Sequence, residues 1–162
     1  MGYTIRTARP EDADAAGQIA VTAWEPIYAG YVGQMGEEIH RTVTKGWRDA
    51  KIASVVNFFT PRPDRGAFVA EDDGVIVEFV TYFMDVNKCI GEVCNNAVAP
   101  NRQCEGIATA LYDAVMRVFT ENGMKAATVS TGADDAHAPA RRAYEKAGFG
   151  NPVYSVRYYK TL

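Results

Sequence analysis

The stretch Val98–Leu111, VAPNRQCEGIATAL, constrains this chain more than any other. A strand-like run ends at Val98. Pro100 stops it, because proline has no N–H to give to a sheet. A polar turn follows, then Gly106 and Ala108, then a helix. Its apolar positions Ile107, Leu111, Val115, Val118 and Phe119 keep the 3.6-residue period. The first backbone N–H groups of such a helix have no partner and carry a partial positive charge. Small residues at Gly106 and Ala108 let a large anion approach them, and a diphosphate has the shape and charge to do so.

The rest of the chain frames this turn. Tyr3–Ala8 (YTIRTA) alternates as a strand. Pro10 and the acidic pair Glu11–Asp12 open a helix expected to run to about Trp24, with Pro26 as its stop. Residues 27–36 hold three glycines and two tyrosines and read as a loop or a broken helix. Glu37–Phe59 reads as a second helix with a weak point at Gly46, and Thr60–Gly66 as a turn-rich linker. Two strands then meet at Asp73–Gly74, a hairpin signal. Further strands are expected in Cys89–Pro100, in Ala126–Thr131 and in Val153–Lys160, with a short helix over Ala138–Gly148. Asn122–Gly123 caps the helix of the opening stretch. The order β-α-α-β-β-β-α-β-α-β predicts one three-layer α/β domain over residues 1–162 with a mixed sheet.

Composition excludes several classes. The 162 residues are 48% apolar and 23% charged, which suits a globular domain with a sizeable core. A net charge of −3 gives no footprint for nucleic acid. Cys89, Cys94 and Cys104 are odd in number and lack zinc spacing, so they read as reduced thiols in a cytoplasm. The N-terminal stretch has no apolar signal core. The longest apolar run, Val75–Met84, is broken by Glu78 and is too short to cross a bilayer. A cytoplasmic protein with no membrane, nucleic-acid or metal partner is expected.

Two familiar phosphate loops are absent: there is no GxxxxGK[ST], and no GxGxxG after a strand. What fits Val98–Ala108 is valine, any residue, proline, two residues, then Q/R-x-x-G-x-G/A. This resembles the coenzyme A diphosphate loop of the GCN5-related N-acetyltransferase (GNAT) superfamily, with Gln103 where arginine is usual and Cys104 where a small residue is usual. A second stretch, His137–Phe149 (HAPARRAYEKAGF), is similar to that family's N-x-x-A-x-x-x-Y-x-x-x-G-F, with His137 in place of the asparagine. Ala140, Tyr144, Gly148 and Phe149 fall in register. The likeness is strong from about Gly91 to Phe149 and rests on element order alone before that. It implies the acyl-CoA N-acyltransferase fold, three layers around a mixed, splayed sheet.

The resemblance also implies a chemistry. Acetyl-CoA is the co-substrate. The backbone of Gln103, Cys104, Glu105, Gly106, Ile107 and Ala108, extending to Thr109, wraps the diphosphate. Ala97 and Val98 lose their ladder partners where the next strand splays away after Val98, and pantetheine fills the gap. Tyr144 is the candidate general acid for the leaving thiolate. It lies about two turns from His137, the residue placed to touch pantetheine. Glu92 is the candidate base, since a carboxylate at the matching position serves so in the histone acetyltransferase branch. Period-two geometry puts Glu92 on the face of Val98 unless a bulge intervenes, about 20 Å away, so a water chain or a bent strand is needed. Glu92 also reads as a solvated carboxylate, with His137 or water then the base, and Tyr144 and His137 also read as structural groups.

Asn95 and Asn96 can orient an acceptor or satisfy splayed backbone. Trp24, Tyr28 and Tyr31 form either an aromatic wall over the acceptor or part of the core. His40 and Cys104 receive no role. The acceptor is expected to be the amine of a small molecule or a peptide, and a homodimer is compatible. Two other classes compete: an acyl-CoA-binding sensor without turnover, and a protein–protein module whose glycine turn only packs.

Overall fold

A computed structural model describes residues 2–102 and 106–162. Five strands form one sheet in the order β1 (Thr4–Thr7), β2 (Arg65–Asp72), β3 (Val75–Asp85), β4 (Ile90–Val98) and β5 (Ala126–Val129). The first three pairings are antiparallel and β4·β5 is parallel, so the sheet is mixed as expected. The hairpin turn is Asp73–Gly74, both residues at positive φ.

One face of the sheet is covered by α1 (Ala13–Gly30) and α4 (Trp47–Val56), whose Ala16, Ala20 and Val55 are buried with Phe59, Val69, Phe79 and Ala97. The short helices α2 (Val32–Met35) and α3 (Glu37–Val43) connect them. The other face is covered by α5 (Ile107–Glu121) and α6 (Ala138–Lys146), with Ile107, Leu111, Val115 and Phe119 packed on Val80, Met84 and Val93. Three layers result. Phe119 comes so close to β4 that a Cβ at position 91 would enter its ring, so Gly91 is a packing requirement.

Several expectations need correction. Pro26 does not stop the first helix but sits inside α1. It removes one backbone bond, and the turn beyond it is held because Tyr28 stacks on Trp47 of α4 with centroids 4.1 Å apart. The weak point at Gly46 is a complete break: Gly46 is left-handed at φ 71°, and the expected single helix is α3 and α4. The expected strand Val153–Lys160 does not form. Residues 150–162 have no regular structure and are exposed, Val153 at 95% and Tyr158 at 89%. Alternation makes a strand only where a neighbour completes the ladder. The sheet ends at β5, whose four residues end at Val129, two short of the expected Thr131.

Candidate functional site

The site begins where two strands part. The β4·β5 pairing runs from Ile90↔Ala126 to Val93↔Val129 and ends there, while β4 continues to Val98. Cys94–Val98 therefore have no strand partner on that side among the described residues, and the parting comes five residues earlier than expected. On the other side β3 still pairs, but Val80 faces Asn96 while Tyr82 faces Val93. Thr81 thus faces both Cys94 and Asn95, a bulge in β4. Buried Thr81 satisfies it: its Oγ1 accepts from Asn95 N at 2.9 Å and donates to Asn95 O at 3.3 Å.

The bulge reverses the alternation. Val93 packs on the α5/α6 face and Ala97 on the α1/α4 face. Their neighbours follow, so Glu92 faces α1 and α4 while Asn96 and Val98 face α5 and α6. The expectation that Glu92 and Val98 share a face is corrected by this one extra residue.

Asn96 brings the freed stretch of β4 to Tyr144. Its Nδ2 donates to Tyr144 Oη at 2.9 Å, and its Oδ1 accepts from Tyr112 Oη at 2.9 Å. Tyr144 is 7% exposed and packs against Tyr112 and Phe149, with centroids 5.6 and 6.1 Å away. Burial raises the Tyr144 pKa, and the hydrogen bond from Asn96 and the adjacent Tyr112 hydroxyl pull against that rise. Burial likewise raises Tyr112, helped by the nearby Tyr144 and Glu78. Glu78 stands opposite Val98 on the same face, 4% exposed, and burial alone pushes its carboxyl up to about 8.

Close by in the chain, α5 starts at Gly106, left-handed at φ 80°. Among the described residues no side chain caps this end, and none has an atom within 4 Å of where a Cβ on Gly106 would stand. The N–H groups of Ile107, Ala108 and Thr109 lack intrahelical acceptors by position. Ile107 itself is a core residue, 1% exposed, so only its backbone can face a ligand. Gln103, Cys104 and Glu105 lie outside the described residues. Arg102, just before them, pairs with Asp72 at 2.5 Å and ties the turn after β4 to the β2–β3 hairpin.

His137 is not brought to Tyr144 by any hydrogen bond. It sits in a one-turn 3-10 helix, Asp135–His137, with Nδ1 2.8 Å from the Asp134 carboxylate. Burial opposes the Asp134 charge, but His137 outweighs it and holds the Asp134 pKa below its ordinary value. On the α1/α4 face, Lys51 Nζ donates to Asn95 Oδ1 at 3.2 Å and lies 4.1 Å above the Trp24 ring. Burial lowers the Lys51 pKa. Trp24, Tyr28 and Tyr31 are partly buried; Trp24 packs against the α1/α4 core, and Tyr28 lines a surface groove of about 340 Å³ with His40, Trp47 and Arg48. His40, without a role in the sequence, donates from Nε2 to the backbone carbonyl of Tyr28 at 2.8 Å. The Cys94 thiol is pushed up to about 12 by burial first and the Glu92 charge second.

Sequence reasoning missed Tyr112, Glu78, Lys51 and Trp47 as neighbours of this site. Only Glu78 left a signal, a carboxyl inside the apolar run Val75–Met84. Among the described residues no group of three or more His, Cys, Asp or Glu side chains could hold a metal ion, and no helix is long and apolar enough to cross a membrane.

Comparison with known proteins bears on the family and the fold. The model of the acetyltransferase (GNAT) family matches residues 32–149. The aminoglycoside N-acetyltransferase AAC(6')-Iy, solved with CoA, superposes with a TM-score of 0.70 at 18% identity, over 99% of this chain and 96% of its own. A PaiA N-acetyltransferase from Thermoplasma acidophilum, solved with coenzyme A, gives 0.68 at 16% identity, over 90% of this chain and 88% of its own. A ribosomal-protein-alanine N-acetyltransferase from Brucella melitensis biovar Abortus 2308 gives 0.64 at 15% identity, over 98% of this chain and 100% of its own. No curated protein sequence matches significantly.

Proposed function

The chain belongs to the GNAT acetyltransferase family and has its acyl-CoA N-acyltransferase fold, and from that premise we propose that it moves the acetyl group of acetyl-CoA directly to a primary amine of a small molecule or peptide. One observation carries the reading. The hydroxyl of Tyr144 is hydrogen-bonded to Asn96, in the stretch of β4 that β5 has left without partners.

The residues divide the work as follows. Backbone groups of Ala97 and Val98 hold the pantetheine arm and polarise the thioester carbonyl. Amides from Gln103 to Thr109 take the diphosphate, where Gly106 leaves room. His137, its ring held by Asp134, keeps the pantetheine contact of the family asparagine. Glu92, on the α1/α4 face, accepts the amine proton through water. As the C–N bond forms and the C–S bond breaks, Tyr144 gives its proton to the thiolate and later regains one from solvent. The partly buried aromatics of α1 and α4 line the acceptor side. The AAC(6')-Iy structure with a CoA–acetylneamine bisubstrate analogue supports a small-molecule acceptor. The exposed Val153, Tyr154, Val156 and Tyr158 support a homodimer, which light scattering would read.

The test is release of free thiol from acetyl-CoA with a panel of amines, including aminoglycosides and peptide N-termini. Thiol release that depends on one amine class supports the reading. Tight coenzyme A binding with no release on any amine would leave a sensor instead.

A further inference from the structure

Asn96 is the polar bridge between two buried tyrosines, and its two ends are not equivalent. An amide oxygen only accepts and an amide NH₂ only donates. Tyr112 Oη lies 2.9 Å from Oδ1, so Tyr112 must donate there. The NH₂ then faces Tyr144 Oη, also at 2.9 Å, and Tyr144 must accept. The Tyr144 hydroxyl hydrogen is therefore not used in this chain of bonds. We propose that Asn96 is a positioning residue: aimed by Tyr112, its Nδ2–H occupies Tyr144 Oη as a donor and leaves the phenol's own proton free for the group in the β4–β5 gap.

The arrangement answers a difficulty of the site. A phenol at 7% exposure resists becoming an anion, because burial penalises the charge. A fixed donor on its oxygen strengthens when the proton leaves, since the bond then becomes charge-assisted. The bulge at Thr81 makes this placement, because it turns Asn96 onto the α5/α6 face. Tyr112 is the titratable group in contact with Tyr144, and Glu78 acts on Tyr112 from β3. The assignment of a catalytic proton to Tyr144 rests on the acetyltransferase reading, whereas the hydrogen-bond order does not.

Titration of protein carrying tyrosine labelled with carbon-13 at Cζ separates the two. Tyr144→Phe assigns the signal. Asn96→Ala and, independently, Tyr112→Phe should both shift the Tyr144 titration to higher pH. An unchanged midpoint, or a fall, overturns the proposal; a fall means the amide is turned round and Tyr144 donates to it. Asn96→Asp is near-isosteric but has no donor when ionised, so it captures the Tyr144 proton. Its kcat should drop on the order of 10²–10⁴-fold near neutral pH and recover as the carboxyl protonates at lower pH. An Asn96→Asp enzyme with wild-type kcat at neutral pH also overturns the proposal. Upward shifts in a protein that acetylates no amine would keep the bond order and sink the acetyltransferase reading.

Discussion

Glu92 and Val98 lie six residues apart on β4 and face opposite sides of the sheet. An unbroken strand would put them on one side. The extra residue opposite Thr81 sends Glu92 toward α1 and α4, and Val98 toward the helices that carry Gly106 and Tyr144. The candidate base and the candidate cofactor contacts are thereby on opposite faces of the sheet.

Substitution of the candidate base should therefore touch only one substrate. Glu92→Gln should lower kcat/KM for the amine and move the ascending limb of the pH–rate profile to higher pH, since amine deprotonation then loses its acceptor. Acetyl-CoA affinity, read by calorimetry, should stay near wild type. A limb that keeps its position with full activity would make Glu92 a solvated carboxylate.

The diphosphate assignment can be tested at Gly106. Its φ of 80° strains any other residue, at a stability cost of about 1–2 kcal/mol. Gly106→Ala carries that strain without charge, because a Cβ there meets none of the described residues within 4 Å. Gly106→Glu adds a carboxylate against a dianion and should weaken acetyl-CoA binding on the order of a hundredfold relative to Gly106→Ala. Equal affinities for the two variants would remove this helix end from the cofactor site.

For Tyr144→Phe, kcat should fall on the order of 10²–10⁴-fold with little change in the KM for acetyl-CoA, because the hydroxyl acts as the thiolate leaves. A fall below about threefold would leave Tyr144 as packing against Tyr112 and Phe149.

Glu78 should write itself into the pH dependence of stability. Burial raises its folded pKa to about 8, above the ordinary 4.5. A raised carboxyl pKa means that the fold prefers the neutral form. That stability is whole below about 4.5 and is lost as pH rises through about 8. Glu78→Gln stays neutral throughout. Relative to wild type it should gain on the order of a few kcal/mol between about pH 5 and about pH 9. Thermal unfolding at both ends checks this, and a Tm difference that does not change with pH would mean that Glu78 ionises freely in the fold.

The residues alone determined most of the elements and one half of the site. Local signals suffice for these: Pro100 ends β4, Gly106 opens α5, Asp73–Gly74 turns the hairpin, and the spacing of Ile107, Leu111 and Val115 defines a buried helix face. The positions of Gly106 and Tyr144 in their motifs were legible for the same reason, since each motif lies within one turn and one helix. Tertiary structure decided what depends on partners distant in sequence. Pro26 stayed within a helix because Trp47 holds the turn beyond it. Val153–Lys160 alternates like a strand yet pairs with no strand of the sheet. The bulge in β4 exists because Thr81, on another strand, satisfies Asn95, and that single extra residue assigns Glu92, Asn96 and Val98 to their faces. A period of two is a local rule, and one residue's slip, visible only from the neighbouring strand, reverses every side chain after it.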